Sequence, residues 1–264
     1  MPKALEVISG HIANVNTLTN LTTNTGDSLN VRSFNDAKKA YLLNTWAFVT
    51  AAGITEIHSP RMHDNVHAIH ARVVASQPLP LMPMQFPQRL YSTDVLTVQL
   101  AGDNTAGRIQ PQSLLVYYED VQGLDARLMA PADVYARLVN IYMVETAITL
   151  GTGGDYSATA AINATSDFFQ ANTDYALLGY VPDINCASIH WKGADVGNVR
   201  VGGPGTNLFP HRTARWFAEL SDYYNLPLVP VFNSNNKGAF VVDALMSQAG
   251  GTLNVTSVLA QLAK

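Results

Sequence analysis

The sequence is poor in charge, holds a single cysteine and has no long apolar run. Of its 264 residues 14% are charged, where ordinary globular chains carry about 25%. The 16 basic and 20 acidic residues give a net charge of −4. Without a Lys/Arg cluster, the chain lacks the means to grip phosphates, and we expect no direct nucleic-acid binding. The lone Cys186 excludes an internal disulfide, a cysteine zinc cluster and a CxxC redox pair. No stretch reaches the roughly 20 apolar residues that span a bilayer. The opening Met1–Val7 and its continuation are interrupted by Glu6, Ser9 and His11, so no signal peptide is expected. These lacks point to a protein made or assembled in a reducing cytoplasm. The sequons at Asn20, Asn163 and Asn254 therefore read as chance in a chain rich in Asn and Thr.

What is present is apolar and β-like. At 47% hydrophobic and 9% aromatic, the chain can fill one large core or two small ones and is too apolar for disorder. Short β-branched and aromatic runs predict strands at Ala40–Ala51, Ile54–His58, Val66–Ala75, Asp94–Ala101, Ser113–Val121, Ala136–Leu150, Tyr175–Val181, Ala187–Lys192, Asn198–Val201, Leu228–Phe232 and Ala239–Asp243. Between them, Gly26-Asp27, Gly102–Asn104, Gly151–Gly154, Gly202–Gly205 and Asn233–Gly238 read as turns. One segment breaks the pattern. In Thr213–Asn225, the residues Trp216, Phe217, Leu220, Tyr223 and Tyr224 recur at helical spacing, with Asn225 and Pro227 as stops. A weaker helix is predicted over Thr256–Leu262 and a helical turn over Pro131–Tyr135.

The chain also looks halved. Leu42–Thr50 aligns without gaps on Leu138–Thr146, and each half then repeats strand, polar loop, strand: Val95–Leu100 to Leu114–Tyr118, and Val199–Val201 to Leu228–Phe232. The expected fold is all-β: two β-sandwich domains, residues 1–125 and 126–264, with the 213–225 helix inserted in the second.

No segment carries a catalytic signature. His58, His63, His67 and His70 crowd thirteen residues; on a helix, three of them would share a metal-binding face. Pro60 and Asn65 break that helix, and on a strand His67 and His70 point to opposite sides, so no metal ligands are assigned. Cys186 and His190 lie about 13 Å apart along a strand, too far for a nucleophile and its base. Glu119 and Asp120 are strand neighbours facing opposite ways. Neither glycine run precedes the Lys-Ser/Thr of a phosphate loop. We expect no enzyme activity, cofactor or metal. Phe168 and Phe169 stand out differently: adjacent strand residues cannot share a face, so unless the segment is a loop folded inward one of them must find another surface, and Phe168 and Phe169 are the candidate inter-subunit contact.

The segments Gly53–Val66 and Asp174–Val181 through Gly202–Gly205, with the late helix of the second half, resemble the major capsid proteins of the double jelly-roll lineage, which includes tectiviruses, corticoviruses and adenoviruses. The chain looks like the small-phage members with an internal membrane, although it is short for the family and its first half shows no counterpart of the 213–225 helix. The resemblance implies a virion protein made in the host cytoplasm, whose homotrimers tile an icosahedral shell as pseudo-hexagonal capsomers. Implied partners are neighbouring capsomers, minor capsid, vertex or membrane proteins, and the internal membrane. Low charge suits a surface largely covered by neighbours. The alternatives are a jelly-roll carbohydrate-binding module or spike, and a cupin-like metalloenzyme using the His58–His70 group.

Overall fold

A strand flanked by Gly, Pro and Asn turns cannot bury its apolar side alone, so strands of this kind pair into sheets and the sheets pack face to face. The computed structural model describes residues 2–13, 15–35, 37–62, 68–82, 86–151, 153–165, 167–247 and 250–264. The first half contributes β1 (Ala4–Ile12), β2 (Thr19–Asn20), β3 (Thr22–Thr23), β4 (Ala40–Ala47), β5 (Gly53–His58), β6 (Ile69–Val73), β7 (Gln88–Leu90), β8 (Thr97–Ala101) and β9 (Gln110–Tyr118). The second half contributes β10 (Leu128–Met129), α1 (Pro131–Ala136), β11 (Leu138–Thr149), β12 (Ala160–Ala161), β13 (Asp174–Pro182), β14 (Cys186–Lys192), β15 (Val201–Gly205), α2 (Pro210–Thr213), α3 (Trp216–Tyr224), β16 (Val229–Asn233), β17 (Val241–Leu245) and β18 (Thr252–Leu262).

The fold is all-β, and its halves share one plan. Leaving aside the two-residue edge strands β3 and β10, the first half stacks a β1-β9-β4-β7 sheet on a β2-β8-β5-β6 sheet. The second stacks β11-β18-β13-β16 on β12-β17-β14-β15. Numbered within its own half, each strand occupies the same place, and the resulting eight-stranded, two-sheet arrangement is that of a jelly roll. The repeat therefore pairs β4 with β13 and β11 with β1. The alignment of Leu42–Thr50 on Leu138–Thr146 had matched β4 with β11, two long strands in different places of the plan; shared β-strand composition produced that match.

Three sequence expectations are corrected. Thr256–Leu262 is not a helix but the end of β18, which pairs with both β11 and β13. Buried on both faces over its second half, it carries Val258, Leu259 and Leu262 at a spacing that imitates a helix. Strand β1, absent from the expected set, pairs along its whole length with β9 and is likewise buried on both sides. The Gly202–Gly205 run is strand β15, not a turn. Its glycines are needed because aromatic groups lie on the strand: Trp216 Nε1 donates to Gly202 O at 3.1 Å and Tyr180 OH to Pro204 O at 2.9 Å. A Cβ on Gly203 would stand 2.3 Å from the Tyr180 oxygen and 2.4 Å from Trp216 Nε1. Pro204 is tolerated because β15 is an edge strand.

The helices follow the sequence pattern more closely. Pro131 starts α1 at a position where its missing N–H costs nothing. The 213–225 helix is observed as α2 followed by α3, with Asn225 ending it in the left-handed conformation at φ 51°. Helix α3 buries Trp216, Phe217 and Leu220.

Substituting Gly203 with alanine forces two buried aromatic side chains off the strand. We expect a loss of about 1–3 kcal/mol, read as a lower denaturant midpoint, whereas alanine at Gly238, where a Cβ meets nothing within 4 Å, leaves the midpoint unchanged.

Candidate functional site

Among the described residues the densest cluster of buried ionisable groups lies at the joint between the two sandwiches, while Glu6, paired with Arg32, and Asp94, bonded to Ser59, are buried within the first sandwich. Strands β14 and β17 set His190 directly opposite Asp243. His190 Nδ1 lies 2.9 Å from Asp243 Oδ1, and Arg200 Nε donates to Asp243 Oδ2 at 2.9 Å. Arg200 lays its guanidinium 3.4 Å from the centre of the Tyr156 ring, a cation–π contact, and that ring meets His190 edge-on at 5.4 Å. Tyr156 OH then donates to Asp27 of the first sandwich, whose Oδ2 also accepts Ser9 N at 2.8 Å. Ser9 and Ser113 hydroxyls carry the chain of bonds onward at 2.9 Å.

The two carboxylates respond oppositely to this environment. Burial pushes the Asp27 carboxyl up, and the bonds from Tyr156 and Ser9 only partly offset it. Burial also acts to raise Asp243, but the bonds and charges of His190 and Arg200 outweigh it and hold that carboxyl below its ordinary value. Burial raises the Tyr156 phenol well above its usual range, so it stays a donor. His190 Nε2 has no hydrogen-bond partner among the described residues. The cluster is an acid–base constellation in composition, yet its groups are engaged with one another in the interior.

The rest of the joint mixes apolar contacts with single hydrogen bonds, among them Asn24 Nδ2 to Gly154 O at 2.6 Å. Trp46 and Trp216 meet edge-to-face at 6.0 Å, and Tyr224 OH donates to Leu43 O at 2.5 Å. Direct backbone links are Val7 N to Arg200 O at 2.7 Å and Ala126 N to Lys3 O at 2.8 Å. Beside α3, a cavity of about 270 Å³ opens between Pro80 and Met82 of the first sandwich and Phe209, Trp216 and Tyr223 of the second. Among the described residues no His, Cys, Ser or Asp lines it.

The residues singled out from sequence do not converge. His63 and His67 lie outside the described residues. His70 pairs with Glu56 at 2.8 Å on an exposed part of β5 and β6, and no group of three metal-ligating side chains is found among the described residues. A register shift between Cys186 and Ser188 disturbs the alternation of β14. Cys186 consequently packs with Ile189 and Trp191 in the core, its thiol pushed up by burial, while His190 turns to Asp243. Phe168 and Phe169 occupy a loop, not a strand. Phe169 folds inward, edge-on to Tyr175 at 4.9 Å, and Phe168 stays 59% exposed, so only Phe168 is available to a neighbour. The His190–Asp243 pair escaped the sequence reading because its members are distant in the chain; an acid interrupting the apolar run Phe240–Leu245 was the available signal.

No protein-family model matches the chain, and no curated protein is similar to it. Among solved structures, the PBSX exported protein XepA is similar at 10% identity over 97% of this chain and 86% of that one, with a TM-score of 0.28. That likeness is too distant to carry a function.

The joint yields a pH-dependent prediction. A lowered carboxyl such as Asp243 contributes stability that is present above the unfolded value near 3.8 and is lost as pH falls through the folded value below it. Asp243→Asn should therefore cost about 3 kcal/mol at pH 7, the low end for breaking a buried pair because Arg200 keeps some access to water. The gap to wild type should close in acid. Asp27 has the opposite sign: its raised carboxyl makes stability fall as pH rises from 3.8 through the folded value, and Asp27→Asn should remove that slope. Urea titrations from pH 2.5 to 8 measure both.

Proposed function

We propose that this chain is a viral structural protein, the major capsid protein of a tailless phage, whose trimers tile an icosahedral shell. The observation that carries the reading is the repetition of one eight-stranded plan, with both copies locked into a single block by a shared core. Three such blocks around a three-fold axis present six similar sandwiches, which is the geometry of a pseudo-hexagonal tile. The chemistry agrees with a role in contact. The ionisable cluster at the joint is engaged with itself, and a low surface charge lessens the desolvation that lateral association must overcome. Neighbouring capsomers, minor capsid or vertex proteins and the internal membrane are the proposed partners, in a virion assembled in the host cytoplasm, and no catalytic step is assigned to the chain.

A carbohydrate-binding module or spike is the competing reading. Such modules stack sugars on exposed tryptophan or tyrosine platforms; here all three tryptophans are buried, and the exposed tyrosines Tyr91, Tyr135 and Tyr223 are what such a module would have to use. Mass photometry and negative-stain electron microscopy of the purified protein decide between the two. The expected result is a trimer that grows into shells or sheets; a persistent monomer that binds glycans overturns the capsid assignment.

A further inference from the structure

The outermost strands of the sheets are nearly all guarded. Strands β2, β3, β10 and β12 have two residues each, β7 three, β15 is built of Val-Gly-Gly-Pro-Gly, and β6 carries His70 and Arg72. Brevity, proline and charge are the usual protections against edge-to-edge pairing. Strand β11 is the least guarded. It runs for 12 residues without proline, pairs among the described residues only with β18, and carries as protection a single charged residue, Glu145, and a bulge between Leu138 and Asn140. Its inward residues Val144, Thr146 and Ile148 are buried. Facing out are Ile141 at 49% and Met143 at 61% exposure, with Val139 at 51% beside a bulge that ends at Asn140. Thr146 Oγ1 donates inward, to Ile162 O at 3.4 Å, and the strand's large exposed apolar residues end at Met143. The portion Leu138 to Glu145 is therefore an outer ladder of N–H and C=O groups with no strand partner among the described residues, edged with apolar side chains.

We infer that this open edge is a self-association surface, on which the β11 strands of two copies pair antiparallel across a two-fold axis at Ile141. The occupant follows from complementarity. With the axis at Ile141, Val139 falls opposite Met143 of the second copy, and Glu145 comes to Arg137 of the second copy, whose side chain is 39% exposed although its guanidinium also donates to Ala263 O at 2.8 and 3.0 Å and lies 3.9 Å from Asp174. The strip is thus matched to itself in both polarity and charge, as an isologous contact requires. Its size fixes its strength. A stable interface takes about 20–30 residues a side, and Leu138–Glu145 with exposed Tyr135 supplies well under half of that. Such a pair is weak alone and firm when repeated, which suits a contact between neighbouring capsomers; that placement rests on the capsid reading, whereas the pairing itself does not.

Cysteine cross-linking tests the register. Residues facing each other across an antiparallel pair have Cα atoms about 4.5–5.5 Å apart, within the roughly 4.4–6.8 Å that a disulfide spans. Ile141→Cys should give a covalent dimer on mild oxidation, with no background from Cys186, which is buried. Glu145→Cys should not link to itself, because its two copies lie ~26 Å apart in this register. Val139→Lys with Met143→Lys sets cations beside the opposing cations and should weaken association about tenfold or more, with an unchanged melting temperature since both positions are exposed. If wild type assembles while Ile141→Cys stays unlinked and the lysines change nothing, the edge inference fails and the capsid reading stands. Linked dimers without any larger particle support the edge and overturn the capsid reading. A wild type that is monomeric throughout, with no cross-link, overturns both.

Discussion

The structure depends on one wall. The β1-β9-β4 sheet is buried on both faces, and its alternating side chains are divided between two cores. Leu5, Val7, Leu115, Tyr117, Leu43 and Trp46 join the core of the second sandwich. Their neighbours Ala4, Ile8, Leu114, Val116, Tyr118 and Leu42 fill the core of the first. Two sandwiches that share a wall cannot swing about a linker without exposing it. Fully burying a Leu or Val is worth about 1.5–3 kcal/mol, so peeling the sandwiches apart would undo several such terms together. The two jelly rolls consequently act as one rigid body.

Apolar burial alone leaves the relative position of two sheets loosely specified, because one leucine packs against another in many ways. The polar joint removes that freedom. Tyr156 must meet Asp27 while Arg200 meets both Asp243 and the Tyr156 ring, and a slip of a few ångströms would strand buried charges. A cluster of this sort need not outperform hydrophobic replacements in stability; its contribution here is to select one orientation. Trp46 against Trp216 and the Tyr224 bond to Leu43 perform the same selection at the other end of the joint. The inserted helix α3 is thus part of the seam between the halves.

The same wall explains what could be read from the sequence. Strands with one wet face, such as Ile54–His58, advertise themselves by alternation, and the chain's β character and late helix were legible for that reason. Strands with two dry faces were not. In β1, Glu6, Ser9 and His11 looked like interruptions, although Glu6 is held by Arg32 at 2.6 Å and Ser9 by Ser113. In β18, apolar residues on both sides erased the period of two and imitated a helix. The Gly202–Gly205 strand was hidden because its glycines answer to Tyr180 and Trp216, contacts that only the tertiary fold creates. The joint was illegible for a related reason: Asp27, Tyr156, His190, Arg200 and Asp243 are ordinary residues until the wall brings them together.

The two sandwiches, alike in strand order, differ where they meet the outside. The strand β1, which occupies in the first half the place of β11 in the second, is covered by β3 on one side and by β9 on the other, with Gly10 and His11 paired to Thr23 and Thr22. The equivalent edge of the second half is left open over Leu138–Glu145. In a trimer of two-sandwich blocks, six outlines of similar shape would therefore carry an unguarded strand at alternate corners only. On the proposed capsid reading, similar shape would let the tile fill a hexagonal lattice, and unequal edges would decide which corners adhere. A single repeated sandwich could not separate those two properties, since any change to its edge would appear at all six positions.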